Sequence, residues 1–400
     1  MAEGYMESVK AFCERKLLGY SVDQYIIMFV VFTIFLPHYF SLAAMVGVVI
    51  YLVYTKQLKK VILGTPRGYW ALIFGGMSMA VSLYYQNYRG FMQCVGIVFV
   101  AVFILYYRRY IDERLFTFIV DTCCLLSLCC FVWGLMEYAS IVDRLGYPFD
   151  ELIVEDSPVN RINSTFYNAN YYGMMIQFLV LMCIYKILHA KTIHRVVFYV
   201  VTIFCNLFVL YLSGCRAGWL SFLVTIPLIF YINRRKKTSL FLVLMIALVV
   251  VIVLLNPEIF PRFDNIIRYF FNRTNIWMTA VKGIMEKPLF GRGPSAYLMI
   301  YESLGGRKAF HSHSVYLDPL LSFGIVGVGM ICYFAWPVVK EIYQLYSRKI
   351  NRELFGLIIC SILAVLIHGI FDYTVFWIQT GTIFLLILNS GSMYKNNSYD

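Results

Sequence analysis

Two kinds of side chain in this sequence could do chemistry: a histidine that can accept a proton and arginines that can bind phosphate. His313 ends a long polar segment, in the run His311-Ser-His-Ser314, just before an apolar stretch begins. An imidazole with its ordinary pKa of about 6.5 can act as a general base close to neutral pH. The sequence therefore indicates His313 as the residue that deprotonates a hydroxyl group.

Three arginines stand beside the starts of apolar runs, namely Arg161, Arg216 and Arg273. A guanidinium fork fits phosphate oxygens, and a helix N-terminus adds free N–H groups and the positive end of a dipole. Together these arginines could hold a diphosphate, whereas the simpler alternative is that each one extends to the lipid headgroups. Arg216 is the best candidate, because almost no loop separates its flanking apolar runs.

Other titratable residues near these positions have simpler explanations. His311 and His313 are two residues apart with no third ligand nearby in the sequence, so a single base is favoured over a metal site, and we expect no metal and no other cofactor. Asp318 follows His313 by about one helical turn, where it could orient the imidazole or pair with an arginine. His368 and Asp372 could meet each other, and we expect them to support structure rather than to perform chemistry.

The composition places these residues in a membrane protein. Of the 400 residues, 60% are hydrophobic and 14% charged, which is more apolar than a soluble domain of this size. The net charge of +12 could suggest nucleic acid, but most basic residues fall in short loops between apolar runs, a pattern typical of membrane proteins. We therefore expect an all-α integral membrane protein that binds the lipid bilayer and no nucleic acid.

The apolar runs predict the organisation of the chain. A single transmembrane domain over residues 1–400 is expected, with about twelve helices, or as few as about ten if Pro37 only kinks the first span. The first run lacks a small-residue cleavage site, so we expect it to be an uncleaved anchor. The runs lie near 20–36, 39–54, 68–85, 90–107, 115–137, 168–188, 195–214, 217–233, 238–255, 314–337, 354–370 and 373–390.

Lys and Arg residues predict the orientation, because they concentrate in alternate loops and so place both termini inside. Two long outer segments remain, about 138–167 and 256–313, and we expect them to form an active-site cap. The second is basic and carries an amphipathic helix from Ile276 to Met285, which Pro288 ends. It is typical of a site for an anionic partner at a membrane surface.

Four motifs in this order carry a resemblance to a known family. They are Thr165-Phe-Tyr-Asn168-Ala-Asn170, Arg216-Ala-Gly-Trp-Leu220, the stretch from Trp277 through Glu286-Lys-Pro288-Leu-Phe-Gly291-Arg-Gly293, and His313-Ser314 followed by Gly324-Ile-Val-Gly327. On them the chain resembles the O-antigen ligase and polymerase superfamily of bacterial membrane glycosyltransferases. Arg292 departs from the family pattern, and the arginine-to-glycine spacing typical of polymerases is not met, which leans towards a ligase-type enzyme.

The resemblance implies an activity and a set of roles. The enzyme would transfer a glycan from undecaprenyl diphosphate to a sugar hydroxyl of a glycan or glycolipid acceptor, in cell-surface polysaccharide biosynthesis, without nucleotide or metal. It would act at the outer face of the bacterial cytoplasmic (inner) membrane. The leaving diphosphate would be bound by Arg216, Arg273 and Arg161, and the acceptor would be deprotonated by His313. Support would come from Asn168, Asn170 and Asp318, and close helix packing from Gly324 and Gly327.

Two other classes of function compete with this interpretation. A transporter that flips the same lipid-linked oligosaccharide would share the basic outer segment and the helix count. Transporters, however, place ionisable residues near the bilayer midplane, and the helix interiors here are nearly free of charge. A structural or sensor protein would not need the spacing from His313 to the two glycines.

Overall fold

The computed structural model describes residues 16–262 and 266–398, and nearly all of its regular structure is helical. Two short antiparallel strands, β1 (Lys16–Leu17) and β2 (Tyr20–Ser21), precede the first helix. Four 3-10 turns follow at Pro158–Asn160, Pro257–Ile259, Thr374–Phe376 and Ser390–Ser398. The α-helices are α1 (Val22–Thr33), α2 (His38–Tyr54), α3 (Leu58–Leu63), α4 (Tyr69–Tyr84), α5 (Tyr88–Tyr110), α6 (Glu113–Leu145), α7 (Ala169–His189), α8 (Ile193–Leu212), α9 (Arg216–Ile232), α10 (Lys236–Leu255), α11 (Ile266–Glu286), α12 (Ala296–Ile300), α13 (Asp318–Ser347), α14 (Arg352–His368) and α15 (Ile378–Asn389).

The all-α membrane fold is confirmed, and each predicted apolar run contains a helix. Among residues 16–262 and 266–398, six helices are long and apolar enough to cross a membrane: α5, α6, α7, α8, α10 and α13. Helix α11 has 21 residues but is not apolar enough, and the remaining helices are shorter; α1 and α15, for example, have 12 residues each. The predicted count of about twelve spans is therefore not confirmed.

Helix α7 lies at the centre of the fold. Its side chains are buried along almost its whole length, and it contacts α6, α8, α9, α14 and α15. A helix that is apolar all round is stable only when other helices surround it. Because the first turn of α7 carries Asn170, the most enclosed helix of the protein fixes the position of that polar side chain.

Helix α13 is broken at Gly324, whose φ is 63° and ψ −176°. The break frees the Ile325 N–H, which donates to the Pro288 carbonyl at 2.8 Å. A Cβ at Gly324 would lie 2.3 Å from the Leu289 backbone, so a glycine is required for both the backbone angle and the close approach. We expected close helix packing here, but Gly324 instead docks the 288–293 turn. A Cβ at Gly327 would lie 2.5 Å from Cβ of Phe323 on the same helix and at an ordinary contact distance of 3.4 to 3.5 Å from side chains of α4, so its helix-packing role stays a prediction.

The predicted amphipathic helix is present as α11 and ends at Glu286, two residues before Pro288. Ile276 and Ala280 on this helix form a small apolar core with α12 and α13. The helix begins at Ile266, ten residues earlier than the predicted stripe. Arg273 therefore lies inside a helix, and the expectation that it stands beside a helix start is wrong.

Candidate active site

Asp372 lies at the centre of the polar cluster, buried in the turn that follows α14. Its Oδ1 is 2.9 Å from Nδ1 of His313 and accepts the Tyr373 N–H at 2.8 Å. Its Oδ2 accepts a hydrogen bond from the Asn170 amide and lies 4.0 Å from Nη2 of Arg273. The sequence predicts a structural role for Asp372, whereas the structure puts it in direct contact with the candidate base.

Backbone contacts hold the two turns of this cluster together. The Val315 N–H donates to the Gly369 carbonyl at 2.8 Å, which ties the segment after His313 to the segment before Asp372. A Cβ at Gly369 would lie 2.4 Å from the Val315 side chain, so a larger residue would push the two turns apart. The distance from His313 to Asp372 is therefore fixed by main-chain geometry.

The partners of His313 determine its tautomer. A carboxylate can only accept a hydrogen bond, so Nδ1 of His313 carries a proton and donates it in the hydrogen bond to Asp372. Nε2 is therefore unprotonated and has a lone pair that can accept a proton. The side chain is 22% exposed, which lets a ligand reach it. His313 has a φ of 52°, an uncommon backbone conformation for a non-glycine residue that is often found at functional sites. Its carbonyl accepts a hydrogen bond from the Trp277 indole at 3.4 Å.

Electrostatics keep this pair as a neutral imidazole beside a carboxylate. Burial lowers the pKa of His313; Asp372 opposes that shift and the Arg273 charge adds to it. Burial alone would raise the pKa of Asp372, but its interaction with His313, including their hydrogen bond, and the charge of Arg273 hold it well below its usual range. This protonation state is the one that a general base requires at neutral pH.

His311 lies beside His313, with their ring centroids 4.3 Å apart. Its Nδ1 accepts the His313 N–H at 3.2 Å, and its Nε2 is 3.7 Å from Oδ1 of Asp372. Burial, together with the neighbouring His313 ring, lowers the pKa of His311 to about 4, so the His311 ring is neutral. Both of its ring nitrogens face protein groups, which suits a positioning role.

These three residues also form a group that could hold a metal ion. The ligand atoms of His311, His313 and Asp372 lie within 4.8 Å of one another. No third ligand lies near the two histidines in the sequence, but the fold brings Asp372 beside them as one. A cation here would compete with the contact of His313 with Asp372, and it would lie near the positive charge of Arg273.

A second chain of hydrogen bonds leads from Asn170 to Arg161. Nη2 of Arg161 donates to the Asn170 side-chain oxygen at 2.8 Å, and its Nε donates to the Ser213 carbonyl at 2.8 Å. Burial lowers the pKa of Arg161 to about 10. Asn168 caps α7 by accepting the Asn170 and Tyr171 N–H groups at 2.9 and 3.0 Å. Arg161, Asn168 and Asn170 therefore belong to one network that ends on Asp372.

Arg216 is the first residue of α9, as predicted, and it shares an aromatic neighbour with Arg262. Each guanidinium carbon lies 4.8 Å from the ring centroid of Tyr269. Nη1 of Arg216 donates to the Arg262 carbonyl at 2.8 Å, and Arg262 forms an ion pair with Asp156. Arg262 is a participant that sequence analysis did not single out among the basic residues of its segment.

Positive charge exceeds negative charge in this region. Burial lowers the pKa of Arg273, and the nearby positive charge of Arg262 lowers it further. The arginines that approach one another here are Arg161, Arg216, Arg262 and Arg273. In the described part of the chain, the carboxylates that pair with them are Asp156 and Asp372. A ligand with two negative charges would balance this site.

Asp318 has neither of the roles that we considered for it. Its Oδ2 accepts the Ser312 N–H at 2.6 Å, and its Oδ1 accepts the Ser322 hydroxyl at 3.2 Å. It therefore holds the turn that carries His313 and leaves the orientation of the imidazole to Asp372.

Comparison with known proteins supports the superfamily resemblance. Residues 201–332 match a protein-family model described as O-antigen ligase. The match includes Arg216, Arg273 and His313, whereas Arg161, Asn170 and Asp372 lie outside it. No curated protein matches the chain. This match supports the resemblance over residues 201–332, which hold three of the four motifs, and an O-antigen ligase domain implies a glycosyltransferase-like membrane enzyme that acts on a lipid-linked glycan.

Proposed function

We propose that this chain, with its O-antigen ligase domain at residues 201–332, transfers a glycan from undecaprenyl diphosphate to a sugar hydroxyl in cell-surface polysaccharide biosynthesis. The acceptor is a glycan or a glycolipid. The observation that carries the proposal is the contact between His313 and Asp372, next to a surplus of arginines. One part of the site can take a proton, and the part beside it can hold a diphosphate.

The reaction needs one bond to form and one to break. The acceptor oxygen attacks the anomeric carbon of the donor sugar, and the bond from that carbon to the diphosphate oxygen breaks. The diphosphate leaves with the electron pair, and the acceptor proton passes to Nε2 of His313. Asp372 stabilises the imidazolium through Nδ1, as the aspartate does in a serine–histidine–aspartate triad. The proton then returns to water.

The arginines stabilise the charge that develops on the leaving group. Arg216 and Arg273 are half-buried, so a ligand can reach them while little water screens their charge. Arg161 contributes indirectly, because its guanidinium already donates hydrogen bonds to Asn170 and to the Ser213 carbonyl. We therefore propose that Arg216 and Arg273 bind the diphosphate. Arg161 holds Asn170 in place and helps to position the nearby phosphate group.

The site is proposed to face outward from the bacterial cytoplasmic membrane, under a cap formed by segments 138–167 and 256–313. The ion pair of Asp156 with Arg262 supports the cap, because it joins the two segments. A cysteine placed at Ser303, in a background cleared of reactive thiols, should react with an impermeant reagent added outside. Labelling at Lys236 together with protection at Ser303 would reverse this orientation.

Purified protein tests the function directly. With lipid-linked oligosaccharide as the donor, a glycan acceptor, a chelator and no nucleotide, we expect new glycosidic bonds. A flippase of the same lipid would instead move the intact donor across liposomes and form no bond. Transfer only after a divalent metal is restored would assign His311, His313 and Asp372 to a metal site.

A further inference from the structure

In this structure the guanidinium of Arg262 is paired with the carboxylate of Asp156. The two side chains form an ion pair and are only 15% and 11% exposed, respectively. The Tyr269 hydroxyl lies 3.3 Å from each carboxylate oxygen of Asp156. A carboxylate thus accepts from an arginine and a tyrosine together, which is an arrangement that a phosphate group would also satisfy.

The place held by Asp156 is continuous with the proposed diphosphate site. Arg262 and Arg216 lie over the same Tyr269 ring, and the Arg216 guanidinium donates to the Arg262 carbonyl at 2.8 Å. A pocket opens at this point, and its walls include Asp156, Arg161 and Arg262. An anion in the pocket would meet these arginines and would compete with Asp156 for Arg262.

We propose that Asp156 is an internal counterion of the donor site, which the diphosphate of the donor displaces from Arg262, so that Arg262 becomes a further phosphate-binding arginine. This inference rests on the proposed function. It assigns a ligand-binding role to Arg262 and a competing role to the carboxylate that now pairs with it.

Two contacts besides the ion pair keep Arg262 in place during this exchange. Arg262 is held from two sides, by the Arg216 hydrogen bond to its carbonyl and by its own contact with the Gly214 carbonyl at 3.4 Å. Asp156 lies in a segment without helix or strand, two residues before the Pro158–Asn160 turn. The Glu155 carbonyl accepts the Asn160 side-chain amide at 3.2 Å, so the segment remains tethered at this carbonyl and can loosen around it when the Asp156 side chain leaves Arg262.

Displacement has a measurable consequence. A diphosphate that enters the site must break the pair of Asp156 with Arg262, so its observed affinity is lower than the arginines alone would give. An Asp156→Asn variant keeps the shape of the side chain and loses its charge. This variant should therefore bind a diphosphate more tightly, although its ligand-free form should be less stable because Arg262 loses its counterion.

The experiment measures binding of undecaprenyl diphosphate, which carries no glycan, to the purified full chain. Asp156→Asn should bind about three- to tenfold more tightly than the wild type, the range expected when one partly buried ion pair no longer competes. Glu155→Gln is the matched control, because it removes the same charge from the exposed neighbouring residue, and its affinity should change less than about twofold. Arg262→Ala should bind about tenfold more weakly or worse.

A second measurement uses the wild-type protein alone. Backbone amides of residues 153–157 should exchange hydrogen faster when undecaprenyl diphosphate is bound, because the Asp156 contact is released. Unchanged exchange, or an Asp156→Asn affinity equal to or below the wild type, would overturn the inference while leaving the donor site intact. If the wild type and every variant fail to bind, the diphosphate function itself is wrong.

Discussion

Arginines at the two ends of α13 have different surroundings. Near the C-terminal end of this helix, the guanidinium of Arg108 donates to the Glu341 carboxylate at 2.6 Å and to the Asn389 side-chain oxygen at 2.6 Å. Both members of the ion pair are almost fully buried, with 6% and 9% of their side chains exposed. At the end where the helix begins, four arginines share two carboxylates. The charge of Arg108 is therefore balanced within the protein, whereas the charges of the four arginines are balanced only in part.

This difference separates structure from ligand binding. A buried guanidinium with its own carboxylate and amide joins α5, α13 and α15 and has no need of an outside anion. The arginines around Tyr269 and Asp372 keep a surplus of positive charge in a half-buried place, which is costly unless an anion completes it. We therefore expect mutations at one end to change stability and mutations at the other to change activity.

The largest effect is expected at the site arginines. Arg216→Ala and Arg273→Ala should each lower glycan transfer by about 10³-fold or more, because each removes a cation from the leaving diphosphate. Lysine should replace them poorly, since it lacks the planar fork. Both variants should remain folded in the membrane, as judged by their melting temperatures. Normal binding of lipid-linked donor to both alanine variants would show that they do not hold the diphosphate.

Arg108→Ala should give the opposite result. Breaking this buried pair is expected to destabilise the protein by about 3–5 kcal/mol, because Glu341 is left without its partner. Transfer measured per folded molecule should not change. Arg109→Ala is the matched control, since it removes the same side chain from an exposed position next to Arg108. A loss of transfer in folded Arg108→Ala would remove the distinction between the two ends.

Transfer should also depend on pH in a defined direction. The pKa of His313 is lowered from 6.5, and the base works only when it is unprotonated, so activity should persist below pH 6.5 and then fall in more acidic solution. A single titrating base predicts a loss of about tenfold per pH unit on the acid side. The kcat/KM profile measures this midpoint. A midpoint above about pH 7 would indicate a raised pKa and a different environment for the base.

A smaller effect is expected at the second histidine. His311→Ala removes the acceptor of the His313 N–H but leaves the contact of His313 with Asp372, so transfer should fall by less than about tenfold. Asn at this position keeps an acceptor and should retain more activity than Ala. A loss as large as that of His313→Ala, combined with inhibition by a chelator, would instead support a metal held by both histidines.

Local sequence patterns were enough to single out candidate site residues whose signals lie within one short segment of the chain. Arg216 and Asn170 lie in the first turns of helices and His313 lies five residues before α13 begins, where residue type and apolar periodicity already limit their position. The amphipathic helix α11 followed from its spacing, but the apolar spacing that predicts it begins only at Ile276, so the ten preceding helical residues and the position of Arg273 among them were missed. Element boundaries depend on contacts that a periodic pattern does not contain.

The partner of the base could not be predicted in the same way. Asp372 lies 59 residues after His313, and only the packing of α14 against α7 and α13 brings the two together. The available signal was an aspartate between two apolar runs, a position where an ionisable residue is a functional candidate. The break in α13 was equally hidden, since the apolar pattern continues through Gly324 and only its positive φ shows the break.

The central claim is that one part of the site holds the donor and another part takes the proton. His313→Ala tests it most directly, because binding of lipid-linked donor and glycan transfer can be measured on the same purified variant. We expect donor affinity within about twofold of the wild type, since the arginines are intact, and transfer reduced by at least about 10²–10⁴-fold. Near-normal transfer by this variant would contradict the account and move the base to another residue.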